Sequence, residues 1–197
     1  MRGVSLSVPW VQVNHMKTNK RKIIEQKVSE LLRKSGITKA PIDVEIIASN
    51  LNINVRRTPT EDDISGFLLR QPDGQTLIGV NTLHHPNRQR FTIAHEIGHF
   101  ALHNYDTVHV DRSIVKLRSK VSSSGEDQEE VEANRFAAEL LMPGELLAKD
   151  LETLLLTDFL DERRMQQLAK RYAVSVQAMT NRLISLGYLH PDELGIS

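Results

Sequence analysis

The pentapeptide His95-Glu96-Ile97-Gly98-His99 constrains this chain more tightly than any other stretch. Two histidines four apart on a helix share one face, about 5–6 Å apart at Cβ, so both imidazoles can reach a single ion. Glu96 follows His95 by one residue and is turned about 100° around the axis. It leaves the ligand line but can reach a water beside the ion. That water needs a base, because its pKa falls only to near neutrality. The H-E-x-x-H spacing is therefore the pattern of zinc-dependent peptide hydrolysis. The same pair can also be two satisfied core histidines, and a third ligand downstream decides between the two.

The surroundings predict a buried helix. Phe91, Ala94, His95, Gly98, His99 and Leu102 share one stripe, and Ile93, Ile97, Phe100 and Ala101 form a second apolar flank. Pro86 suits the first turn, where its missing N–H costs nothing. Gly98 costs about 1 kcal/mol against alanine in mid-helix. Its presence predicts a close neighbour, such as a strand backbone or bound substrate.

With 197 residues the chain suits one domain or one domain with an appendage. Lys plus Arg and Asp plus Glu both number 25, so no charge excess signals nucleic acid or a membrane surface. Cysteine is absent, which excludes disulfides and thiolate-zinc sites and leaves His and carboxylate as ligands. No apolar run is long enough to span a membrane, and Met1 to Val13 lacks a signal-peptide pattern. The expected location is cytoplasmic.

Residues 1–19 read as a flexible arm, 20–150 as the metallopeptidase domain and 151–197 as a C-terminal helical segment. Lys20–Lys34 and Ile42–Asn50 carry helical spacing, the second opened by Pro41. Ile53–Arg57, Ile64–Arg70 and Thr76–Asn81 read as strands, the last two joined by a turn at Pro72-Asp73-Gly74. They predict a small antiparallel sheet against the His95 helix, either a clamp for an extended peptide or plain scaffold. Asn104–Gln128 reads as a long polar loop, a lid or disordered chain.

Glu126–Leu141 is a second strong helix, acidic in its first turn and stopped by Met142-Pro143-Gly144. Glu130, Ala133, Asn134, Ala137 and Leu141 share a face whose small residues allow close approach to the His95 helix. Glu130 is the carboxylate on that face, whereas Glu129, Glu132 and Glu139 read as solvated charges. Catalytic zinc takes three protein ligands plus a water, and two histidines with a glutamate are a standard set. Asn134, one turn on, can hold the second nitrogen of a ligating histidine. An acidic helix start without a metal role is the alternative.

The run Asn87–His99, followed by Glu130–Pro143 and preceded by Ile64-Ser65-Gly66-Phe67 and Ile78-Gly79-Val80-Asn81, resembles the ImmA/IrrE family of bacterial and phage metallopeptidases. The resemblance spans about residues 25–145. It implies an α+β fold with a zincin-like (gluzincin) core, His95, His99 and Glu130 as metal ligands and Glu96 as general base. Zn²⁺ is the implied metal, with Mn²⁺ also accommodated by such ligands. Asn134 stands where related gluzincins often carry Asp, and an amide is the poorer acceptor. The family's usual substrates are helix-turn-helix repressors of phages, mobile elements or stress regulons, cut once to relieve repression. The expected target is a separate protein.

An oxyanion donor is also required, and His103, Tyr105 and His109 are the candidates. His103, one turn after His99, can alternatively be a ligand or a core histidine; His84 and His85 read as surface residues. Asp161–Leu189 resembles a helix-turn-helix, with Ser175 capping its second helix. Its lysines and arginines are offset by Asp158, Asp161 and Glu162, so packing on the catalytic core is favoured over direct DNA contact. Two function classes stand. One is a metal-dependent endopeptidase acting on a regulatory protein. The other is a DNA- or protein-binding regulator with a structural or vestigial metal site, for which Glu96 would have no use.

Overall fold

The computed structural model of the chain describes residues 9–60, 64–103, 108–112, 124–155 and 161–190. Their elements run α1 (Pro9–Lys34), α2 (Val44–Asn50), β1 (Ile53–Thr58), β2 (Ile64–Arg70), β3 (Thr76–Asn81) and α3 (Pro86–Leu102). Then come β4 (Val108–Arg112), α4 (Ser124–Leu141), α5 (Gly144–Leu155), α6 (Glu162–Tyr172) and α7 (Val176–Ser185). The architecture is α+β. Helix α1, expected from Lys20, already begins at Pro9 and so takes in part of the stretch 1–19. Helix α2 starts at Val44 rather than Ile42, because Asp43 caps it: its carboxylate accepts from the N–H groups of Glu45 and Ile46.

The sheet corrects one expectation. It is mixed rather than antiparallel, with four strands in the order β1-β3-β2-β4. Strands β2 and β3 form the expected hairpin, in which Gln71 N–H donates to Gln75 O at 2.8 Å across the turn. Strand β1 pairs with β3 and runs parallel to it, Val55 facing Ile78. At the end of β3, Asn81 ties Thr60, which follows β1, to Ile64, the first residue of β2. The buried Asn81 amide donates to Ile64 O at 2.9 Å and accepts from Thr60 N–H at 3.3 Å. Strand periodicity specifies which face is buried but not which neighbour is chosen, so the parallel pairing was not readable. Strand β4 lies in the stretch read as a loop and pairs antiparallel with β2. The alternation Val108-His109-Val110 was its local signal.

Helix α3 lies between the sheet and α4. Ile93 and Ile97 are fully buried there, each contributing about 1.5–3 kcal/mol. On the sheet side β2 crosses at Gly66, where an added Cβ would stand 2.4 Å from Thr92 Cγ2 and 2.7 Å from Gly79 O. Only a glycine lets the strand lie this close. Arg70 of β2 reaches the far end of α3, donating to Phe100 O and His103 O at 3.4 and 3.3 Å. A cation there complements the C-terminal end of the helix dipole.

The C-terminal half differs from the sequence reading in two places. Met142-Pro143-Gly144 ends α4 as expected, yet Pro143 O also accepts the first N–H bonds of α5, from Leu146 and Leu147. The domain boundary drawn at residue 150 thus falls inside a helix. Glu139 is not a solvated charge: it is 8% exposed and forms an ion pair with Arg182 of α7. Arg182 Nε also donates to Met142 O at 3.0 Å, and Glu139 accepts from Gly144 N–H at 3.2 Å. The α6–α7 pair is capped by Asp161 and Ser175, and the buried Tyr172 donates to Asp150 of α5 at 2.8 Å. These helices pack on the body of the chain. Among the described residues no helix is long and apolar enough to cross a membrane.

Candidate metal centre

Helix α3 begins as its sequence requires, with Pro86 in the first turn and the His85 side chain accepting from Asn87 N–H. Residues Thr92 to His99 are all buried, so the pentapeptide lies wholly inside the protein. His95 and His99 are 2% and 0% exposed, and their rings meet edge to face with centroids 4.5 Å apart. Their Nε2 atoms face each other at 2.9 Å.

Glu130 approaches from α4. Its Oε2 is 3.4 Å from His95 Nε2 and its Oε1 is 3.2 Å from His99 Nε2. One ligand atom from each of the three residues lies within 4.8 Å of the other two. What brings α4 this near is the predicted close neighbour of Gly98, which proves to be neither strand nor substrate. An added Cβ on Gly98 would lie 3.2 Å from both Cα and O of Ala133, and 3.1 Å from the Phe136 ring. The two helices touch backbone to backbone, one turn from the cluster.

Asn134 Oδ1 lies 3.1 Å from His95 Nδ1. As an acceptor it selects the tautomer with hydrogen on Nδ1, which turns the Nε2 lone pair toward Glu130 and His99. Two imidazole nitrogens and a carboxylate converging in this way fit a divalent metal of the zinc type. Glu96 is fully buried beneath β2: an added Cβ on Gly66 would be 3.8 Å from its Oε1.

The remaining candidates scatter. His103 closes α3 as its C-cap, its ring 5.5 Å from that of His99. Tyr105 lies outside the described residues, and of His109 only the backbone, in β4, is described. His84 is half-buried and His85 exposed. Glu132, expected in solvent, is paired with Lys20 of α1. Burial raises its pKa, but the hydrogen bonds from Lys20 and Gln128 outweigh this and leave it below the usual carboxylate value.

Sequence reasoning missed the wall beside His95. Phe91, one turn earlier, stacks on the His95 ring with centroids 6.3 Å apart and planes 30° apart. It shares a cavity of about 730 Å³ with His95, Ser65 of β2 and the first turn of α7. Ser65, 4% exposed, is held by Arg88 Nη2 at 3.0 Å. No local pattern pointed to α7 here, since its contribution depends on how the C-terminal helices fold back.

Fold and site together define an α+β protein in which two buried histidines and a half-buried carboxylate form a cluster able to hold a metal ion. The chain belongs to the Peptidase_M78 family, described as the IrrE N-terminal-like domain, whose model matches residues 48–184. The match runs past residue 145, the expected limit of the resemblance, and takes in α6 and most of α7. The chain is 32% identical over 121 residues to the uncharacterized immunity region protein 2 of Bacillus phage phi105, covering 61% of this chain and 69% of that protein. Its fold is similar to that of a Mycobacterium tuberculosis transcriptional regulator, with a TM-score of 0.57 at 19% identity. That similarity covers 90% of this chain and 52% of the regulator, so this chain spans about half the regulator's length.

Proposed function

We propose that the chain is a metal-dependent endopeptidase with a zincin-like core that cuts a regulatory protein, in particular a helix-turn-helix transcriptional repressor, and so relieves repression. The observation that carries this is a fully buried Glu96 one residue along from the converging His95, His99 and Glu130. A site that merely holds a metal for stability has no use for a buried base at that position. Membership of a peptidase family and the likeness to a phage immunity-region protein support the same reading.

His95 and His99, through Nε2, and Glu130, through its carboxylate, would hold Zn²⁺, with Mn²⁺ as the alternative. The metal, when bound, supplies Lewis acidity that polarises the scissile carbonyl and acidifies water. Glu96 takes the proton of the attacking water and passes it to the departing amine, so peptide hydrolysis balances without another reactant. Asn134 keeps the His95 ring in the tautomer and orientation a ligand needs. His103, one turn beyond His99, and Tyr105 are the candidates for the hydrogen bond to the developing oxyanion, with a supporting role beside His99 the favoured one for His103. A repressor substrate puts the reaction in the cytoplasm, and this reading needs no DNA contact by the chain itself.

The test is incubation of the zinc-loaded protein with the helix-turn-helix repressors encoded beside its gene, with Glu96→Gln in parallel. One cut by the wild type, slowed at least about 100-fold in a variant with unchanged metal content, is the expected result. Equal cutting by the variant would overturn the role of Glu96. An intact repressor set with tight DNA binding by the chain would favour the regulator reading instead.

A further inference from the structure

We infer that the α6–α7 helix pair is the specificity element of the proposed peptidase site. On this reading the first turn of α7 and Phe91 form a subsite for a bulky apolar side chain next to the scissile bond. This rests on the peptidase reading for its chemistry, but the subsite is defined by the fold alone. The cavity of about 730 Å³ that opens on His95 is walled on its far side by Val174, Ser175, Val176 and Ala178. Phe91 and Leu141 add apolar surface from α3 and α4. A side chain seated there would rest against Phe91, whose ring is stacked on the ligand His95.

Three further observations point to an occupant. Val176 is 41% exposed and Val131 60%, among the few large apolar residues left open to solvent. Exposed apolar groups that line clefts mark binding surfaces more often than isolated ones do. Val131 lines a second cavity, of about 510 Å³, which shares Phe91, Asn134, Ser175 and Ala178 with the first. The two cavities therefore adjoin at Phe91, Asn134 and the start of α7, one beside His95 and the other beside Val131. The outward residues Gln177 and Asn181 of α7 line the second. A helix-turn-helix reading DNA would offer this face of its second helix to the groove of a duplex; here the face lines the protein's own cavity instead.

The wall is also held rigidly. Arg182, 5% exposed, joins α7 to Glu139 of α4 and to Met142 O, while Glu130 and Asn134 lie on the same α4. The helix that carries the third metal-type ligand thus also positions the subsite wall, which is the support a specificity pocket requires. The occupant we assign is an extended segment of a protein substrate, with Leu, Ile, Met or Phe at one fixed position beside the cut and polar residues farther on, against Gln177 and Asn181.

Two measurements test this. In the first, N-acetyl-leucinamide is titrated into the metal-free protein and followed by amide NMR. Shifts concentrated at Phe91, Val176 and Ala178, and abolished in Ala178→Trp, are expected; shifts elsewhere, or none up to tens of millimolar, would overturn the subsite. In the second, the zinc-loaded wild type, Val176→Asp and Ala178→Trp are given a mixed-sequence peptide library, and new termini are read by mass spectrometry. The wild type should favour a large apolar residue at one position. Val176→Asp should lower cutting at such sites at least tenfold, and Ala178→Trp should shift the preference to Ala or Gly, with zinc content unchanged. The same preference in all three proteins would overturn the subsite. No cutting by the wild type, with leucinamide still bound in the cavity, would sink the peptidase reading and leave the subsite standing.

Discussion

Gly98 of α3 and Ala133 of α4 meet with no side chain between them: an added Cβ on Gly98 would stand 3.2 Å from both Cα and O of Ala133. This contact sets how near Glu130 and Asn134 come to the two histidines, because all four residues lie within a turn of it. Gly98→Val should therefore push the helices apart. The expected cost is about 1–3 kcal/mol of stability from overpacking, despite the better helix propensity of valine. Zinc affinity should fall with it, and chemical denaturation beside a zinc-competition titration would measure both. Unchanged zinc affinity would mean that the close approach does not matter to the cluster.

Glu130 and Asn134 occupy one face of α4 but should fail differently. Glu130→Ala leaves two histidine ligands, and zinc content after gel filtration should drop from about one per chain to near none. Asn134→Ala keeps three ligands and loses only the partner of His95 Nδ1, 3.1 Å away. Its zinc affinity should fall about 10–100-fold. Retention of zinc in Glu130→Ala would move the third ligand to Glu129, Glu132 or His103.

Removing one partner of the Glu139–Arg182 pair strands the other in the interior. Arg182→Ala should destabilise the chain by about 3–5 kcal/mol, read by urea unfolding. Replacing both by apolar residues, Glu139→Leu with Arg182→Met, should recover most of that loss. If the double variant is no better than the single one, the hydrogen bonds to Met142 O and Gly144 N–H matter more than the charges.

Tyr172 gives the alkaline limit of stability a definite sign. Burial, then the hydrogen bond to Asp150 and the charge of Asp150, raise its pKa far above the ordinary tyrosine value of 10.0. The neutral phenol's contribution is thus fully present below pH 10.0 and is lost as pH rises through the folded value. Relative to Tyr172→Phe, the wild type should lose stability steadily above pH 10.0, followed as the difference in urea midpoint. A difference that stays flat with pH would show that Tyr172 does not govern alkaline unfolding.

Much of the centre follows from local spacing. Histidines four apart, a glutamate between them and an acidic residue on the small-residue face of a later helix are properties of a 3.6-residue period, and a helix realises them wherever it packs. The same holds for Pro86, for Asp161 and Ser175 as caps, and for the hairpin at Pro72-Asp73-Gly74, each of which acts within a few residues. Tertiary structure decided the rest. It chose the parallel pairing of β1 with β3, because strand composition specifies the buried face but not the neighbour, which contacts distant in sequence select. It buried Glu139, because an acidic side chain goes inside only where a distant Arg182 meets it. It also brought the first turn of α7 to the cavity beside His95, from about eighty positions away along the chain, a juxtaposition that only packing creates.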